Sequence, residues 1–429
     1  MDYPRMFRMS QRFEDRILTD IPEIIRKEIS CLNPSALIRP NQTVAVAVGS
    51  RGIDNHSLIV KSVIDELLAL DAKPFIVTAM GSHGGATDEG QAAILSGYGI
   101  TEEQMGVPVR SSMEVVQIGT TDFGMPVFFG RIASEADHIV LINRIKPHTR
   151  FAGEIESGML KMMAIGLGKR VGAETYHRNF VHYSFDRVVR SVYKIVMQEM
   201  PIAFGIGIIE NGYQQTAEIK AIGRDNIEQE ERELLRISRA WCPKLPFDDV
   251  DLLIIDEIGK NISGAGMDTN VTGLKKIFCP ELIHSLPRVN KIFVRDLSEG
   301  TGGNAMGLGL ADFTTKRLVD KIDFNSFYTN ALTAQNLRGA KIPMFFNTDR
   351  EVLDAAFKSF GLIEPRNAKI LRIKNTLQIS EVEASISYRD RARTRPDITL
   401  LSEPRLLEFL PDGNLPDFVL SGEAAYQTA

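Results

Sequence analysis

The stretch "VAVAVGSRGIDNHSLIVKSVIDELLALDAKPFIVTA", residues 44–79, decides how the chain folds. It opens with an unbroken run of valine and alanine at 44–48, which suits a strand buried on both faces. From 57 to 71, Ile59, Val63 and Leu67 stand beside Val60, Ile64 and Leu68 at helical spacing. Residues 75–79, "FIVTA", return to a short apolar run. Strand, helix and strand make a β-α-β unit, with parallel strands and a right-handed crossover.

The same alternation continues. Apolar runs at 138–142, 204–209, 251–256, 291–294 and 342–346 read as strands. Residues 184–198 carry Phe185, Val188, Val189, Val192, Ile195 and Val196 on one side of a helix. The expected class is α/β: two α/β domains with mainly parallel sheets and the active site in the cleft between them. The segment "WCPKLPFDD", 241–249, breaks a helical pattern with two prolines before a fresh strand. It divides the chain into an N-terminal catalytic domain, 1–243, and a C-terminal α/β domain, 244–429.

Composition narrows the function classes. The chain has 429 residues, 44% of them hydrophobic, which fits two domains with real cores. A net charge of −5 without a long basic run argues against nucleic acid. The apolar runs are shorter than about ten residues, too short to span a bilayer. The opening "MDYPRMFRMSQRFEDR" alternates charges and reads as no secretion signal. Cys31, Cys242 and Cys279 are far apart with no CxxC pair, and a cytoplasmic protein is expected.

Polar residues collect just past the strands: Ser50 and Arg51, "GSHGGATDEG" at 81–90, residues 143–148, Glu210 to Gly212, and residues 256–270. In open α/β sheets that edge binds ligands. His83 stands between glycines, either open to a ligand or a bystander in a turn; a helix start at 86–89 would place it near a helix N-terminus and keep it neutral. His148, in "KPHTRFAG", has Lys146 and Arg150 nearby for an anion, or is a plain loop histidine. Lys161 lies in the apolar run "GMLKMMAIGLG", where it either snorkels to water or is desolvated to act as a nucleophile or covalent anchor. His177 alone is a helical histidine of packing or surface type. "GLGKRVG", 166–172, lacks the GxGxxG spacing, although its amides could hold one phosphate. Asp256, Lys260, Asp268 and Asn270 form a Gly-rich polar loop, a turn or a substrate contact.

Taken in order, these segments resemble the nickel-dependent lactate racemase family. "GSHGGATDE" is similar to its first histidine motif, "KPHTRFAG" to its Pro-His…Ala-Gly motif and "SGMLKMMAIGLG" to its Ser-Gly-x-x-Lys segment. His177 follows Lys161 by sixteen residues, the family spacing. The resemblance covers roughly residues 40–215. It implies a nickel-pincer nucleotide, a dithiocarboxylated pyridinium mononucleotide, joined to Lys161 by a thioamide, with His177 as the protein's nickel ligand. It also implies His83 and His148 as the acid/base pair, and Arg51 as the group holding a substrate carboxylate. Lys260 is a candidate, by chemistry only, for the family's C-terminal substrate lysine. The implied activity is a racemase or epimerase that inverts C2 of a 2-hydroxy acid by proton-coupled hydride transfer.

Departures from the pattern bear on the substrate. Gly84 and Gly85 follow the first histidine where the family has arginine, the stretch from His148 to Gly153 is one residue longer, and Thr149 and Arg150 replace aromatic residues. These imply a roomier, more polar pocket, for an acid larger or more hydroxylated than lactate, such as a sugar acid. The competing readings are an NAD-dependent 2-hydroxyacid oxidoreductase, a non-catalytic ligand-binding homologue and a metal hydrolase. The expected partner is a small hydroxy acid; a homo-oligomer is left open.

Overall fold

The computed structural model describes residues 2–50 and 52–421. Arg51, the expected carboxylate contact, lies outside the described residues. The fold is mixed α/β with mainly parallel sheets, as the apolar runs imply. It divides into two compact units. One holds Glu14–His148 and Ala152–Cys242; the other holds the chain up to Phe13, Thr149–Phe151 and the chain from Pro243 on.

In the first unit, strand Thr43–Val48, helix His56–Leu68 and strand Lys73–Thr78 form the expected β-α-β unit, with parallel register from Thr43 opposite Lys73 to Val48 opposite Thr78. The sheet runs Val109–Arg110, Lys73–Thr78, Thr43–Val48, His138–Arg144, Ile202–Glu210, Thr216–Gly223. Only the last pairing is antiparallel. Val44, Val46 and Val48 pack on one face with Ile59, Val63, Ile64 and Leu67, all fully buried. The order reverses between Thr43–Val48 and His138–Arg144: later strands add on one side of the first, then on the other. In open α/β sheets such a reversal is where ligands bind, outside the carboxyl ends of the strands. Helix Phe185–Glu199 starts where its apolar stripe begins, and Ser184 Oγ accepts from Arg187 N–H at 3.2 Å.

The second unit has the order Met344–Phe346, Phe313–Thr315, Arg288–Leu297, Asp249–Ile258, Ile370–Ile373, Glu381–Ser385, Arg5–Gln11, Ile398–Leu400, with Arg405–Leu406 also beside Arg5–Gln11. Strand Arg5–Gln11 is antiparallel to Glu381–Ser385 and Ile398–Leu400. It buries Phe7 and Met9 and sends its charged residues outward. Asp256 is no loop ligand: it is buried at the end of Asp249–Ile258, between Arg295 and Arg372, and accepts from Arg372 Nε and Nη2 at 2.7 Å each. Burial disfavours the Arg372 charge, yet Asp256 and Glu383 hold its pKa above the usual arginine range. These arginines also bind the carbonyls of Leu415 and Pro416 and so fasten the last described segment. Among the described residues, no helix is long and apolar enough to cross a membrane.

Candidate active site

The loops at the reversal are tied together by specific bonds. Ser50, just past Val48, is held by Tyr98, whose hydroxyl donates to the Ser50 carbonyl at 2.9 Å. Ser50 Oγ in turn makes a short hydrogen bond to His83 Nδ1, which fixes the exposed ring and couples its tautomer to the hydroxyl. Glu210 anchors the same loop from the next strand: it accepts from Asp54 N–H at 3.0 Å and pairs with Arg144.

His83 does not stand at a helix N-terminus. It precedes a single 3₁₀ turn, Gly84–Ala86, and helix Asp88–Gly97 starts after Thr87, whose Oγ1 caps Gly90 N–H at 3.0 Å. The helix start expected at 86–89 is found at Asp88, and the Ser50 hydroxyl holds the His83 ring. Gly84 has φ +64°, and a Cβ there would lie 2.6 Å from the Gly90 carbonyl carbon. Gly85, φ +67°, faces open space. Only the second glycine widens the site; the first permits close packing.

His148 lies in a loop closed by Lys146 and Ser157, whose backbones exchange hydrogen bonds of 2.9 and 3.2 Å. Glu156, buried inside the loop, accepts from His148 N–H and from Arg239 at 2.7 Å. The His148 ring stacks on Phe185, centroids 5.9 Å apart. Phe185 contacts Phe180 at 5.3 Å, and Phe180 meets His177 edge-on at 5.2 Å. A row of four rings thus joins His148 to His177.

Lys161 ends a short helical turn, Met159–Lys161, and a π-helical turn follows at Met162–Gly166. Such turns are uncommon and recur at functional sites. Lys161 is half-buried between the fully buried Met159 and Leu160 and the buried Met162 and Met163. Two bonds tie this segment to the histidine loops: Asn143 Nδ2 donates to the Gly158 carbonyl at 2.6 Å, and Gly81 N–H donates to the Gly166 carbonyl at 3.1 Å. The helix bearing His177, Lys169–Asn179, follows the π turn after Leu167 and Gly168. His83, His148, Lys161 and His177 are therefore linked through one connected set of contacts.

The phosphate reading of "GLGKRVG" does not hold. Gly166, Gly168 and Gly172 are buried packing positions; a Cβ on Gly168 would lie 2.3 Å from the Ala164 carbonyl. Lys169, at φ +56°, turns its buried amine onto the Thr78 carbonyl and hydroxyl. Burial pulls its pKa down to about 8, with Asp88 opposing.

Other candidates belong to the second unit. Lys260 Nζ donates to the Gly264 carbonyl of its own loop at 2.8 Å, and Asp268 caps the turn Thr269–Thr272. Arg150 donates to the Ala334 carbonyl at 2.9 Å and lies against Phe151 and Phe278, so its guanidinium serves packing in that unit. Glu156 and Glu231 escaped the sequence reading. Neither stands apart from the acids near it in sequence, and burial by distant elements gives each its role.

Residues 9–186 match the family model of the lactate racemase N-terminal domain. That N-terminal stretch is therefore similar to the lactate racemase N-terminal domain. A crystal structure of a protein from Thermotoga maritima is similar over 86% of this chain and 99% of that one, at 14% identity and a TM-score of 0.51, which shows a shared fold. The structure of the lactate racemase apoprotein from Thermoanaerobacterium thermosaccharolyticum aligns over 80% of this chain and 85% of that one, at 15% identity and a TM-score of 0.47. No curated protein matches the sequence. The family match supports an isomerase of racemase or epimerase type.

Proposed function

We propose that this lactate racemase-like chain inverts C2 of a 2-hydroxy acid, with a nickel-pincer nucleotide carried on Lys161 and His177 as the nickel ligand. The observation that carries the reading is the linkage of one lysine and three histidines at the strand-order reversal. The donor set fits that group. Among the described residues, no cluster of three or more His, Cys, Asp or Glu could hold a metal. An amine and one imidazole suit a cofactor that brings its other donors itself. When bound, the group supplies a carbon that accepts and returns the α-hydrogen. The protein's part is the proton on the substrate hydroxyl. His83, oriented by Ser50, and His148, oriented by Phe185, are the two bases that a reversible inversion needs. Arg51 is proposed to hold the carboxylate by paired hydrogen bonds, and Lys260 is, by chemistry only, the candidate substrate lysine. The open space at Gly85 favours an acid larger or more hydroxylated than lactate. The partner is thus a small metabolite, with a cytoplasmic setting.

The test is intact-mass spectrometry and metal analysis of protein made alongside the cofactor pathway. Wild type should carry nickel and an adduct on Lys161, and Lys161→Ala should lose both. His83→Ala and His148→Ala should keep the adduct and lose about 10²–10⁴-fold in turnover. A panel of hydroxy acids labelled at C2 should show inversion with label retained, with hydroxylated acids ahead of lactate. An adduct on another residue overturns the anchor; label washed out in the first turnover overturns the inversion chemistry.

A further inference from the structure

We propose that Glu231 is the positioning residue for Lys161, holding in place the turn that presents the amine. The turn Met159–Lys161 is too short to be stable alone. Its cap residue, Gly158, has no side chain to accept the first N–H groups. Glu231 reaches this turn from helix Ile227–Trp241, some seventy residues on. Its Oε2 accepts from Leu160 N–H at 3.0 Å.

Three further facts make this a built contact. Glu231 is fully buried, although its helix offers exposed positions. Its Oε1 has no hydrogen-bond partner, so an acid is kept here at a cost that a solely structural helix would avoid. Gly158 is shaped to it: a Cβ would lie 2.3 Å from Oε1 and 2.4 Å from the carboxyl carbon. The Gly158 carbonyl is also the group that Asn143 grips. Glu231 and Asn143 therefore hold the entry to this turn between them. Leu160, bonded to Glu231, immediately precedes Lys161, so movement of that turn moves the amine.

Naming Lys161 as the anchor rests on the proposed function; the positioning role does not, and the experiment separates them. The full chain without cofactor is compared as wild type, Glu231→Gln, Glu231→Asp and Glu231→Leu. Glutamine keeps an acceptor at the same reach, aspartate withdraws it by one methylene and leucine removes it. Amide exchange in peptides covering 158–163 should quicken about tenfold in the leucine and aspartate variants, the scale of one lost hydrogen bond. It should stay near wild type with glutamine. Reductive methylation of Lys161 with formaldehyde and cyanoborohydride, followed by peptide mass spectrometry, should change rate in the same two variants and be restored by glutamine. If leucine does not fold, aspartate against glutamine decides. Exchange that quickens equally in strand Ile202–Glu210 makes the residue a general stabiliser and overturns the proposal. So does wild-type labelling of Lys161 in both the leucine and aspartate variants. In cells with the cofactor pathway, adduct occupancy should follow the same order. A wild type that never carries an adduct overturns the anchor reading and leaves the exchange result to judge Glu231.

Discussion

Glu231 and His56 set opposing pH dependences. Burial pushes the Glu231 carboxyl up to about 7, against the pull of the Leu160 and Met159 N–H groups. Burial pulls His56 down to about 4, and Arg144 adds to the effect; neither ring nitrogen has a hydrogen-bond partner. Between 4.5 and about 7 the folded chain keeps a proton on Glu231 that the unfolded chain has released, so stability falls as pH rises. Between about 4 and 6.5 the unfolded chain keeps a proton on His56 that the folded chain has lost, so stability rises with pH. Each effect is worth about 3 kcal/mol across its window, and where the windows overlap they nearly cancel. Glu231→Gln should leave a stability that climbs with pH, and His56→Phe one that declines. Urea denaturation at several pH values reads both, and three parallel profiles would refute the assignment. Three of the four candidate residues were legible in the sequence because glycine and proline mark the loops around His83, His148 and Lys161, and His177 was legible by its spacing from Lys161. The acids behind them were not, because no local pattern distinguishes Glu231 from its neighbours in "IEQEERELLRISRAW".

At the scale of elements, the loop carrying His83 joins two adjacent glycines of unlike function. Gly85→Ala meets only the strain of a left-handed backbone, about 1 kcal/mol. Gly84→Ala adds a collision with the Gly90 backbone and should cost at least about twice as much. It should also displace His83, lowering turnover more than Gly85→Ala does. Thermal unfolding with turnover on the same preparations checks this, and equal costs at both positions would contradict it. The long parallel strands were legible because burial on both faces demands continuous apolar runs, whereas Val109–Arg110, Phe313–Thr315 and Ile370–Ile373, two to four residues long, are too short to show a pattern. The hairpin of Val115–Thr120 and Pro126–Gly130 was missed, since its first strand is only partly buried and its pattern is mixed. The π turn after Lys161 has no recognisable periodicity and was not legible.

For the whole molecule, the decisive feature is strand Arg5–Gln11 lying inside the sheet of the C-terminal unit. No sequence window reports a pairing between Phe7 and Ala384. Removing residues 2–13 should lower the stability of the unit from Pro243 on while sparing the Glu14–Cys242 portion. Domain-resolved amide exchange would show it; equal loss in both units would count against it. The same strand imposes an order of events on biosynthesis. Its partner Glu381–Ser385 is translated roughly 370 residues later, a delay of about 20–75 s at ~5–20 residues per second. Through that interval Phe7 and Met9 have no sheet to enter, while the unit between Glu14 and Cys242 can already have condensed. The nascent chain thus exposes a short apolar segment ahead of a folded body, a target for a ribosome-associated chaperone until Glu381 and the residues after it emerge.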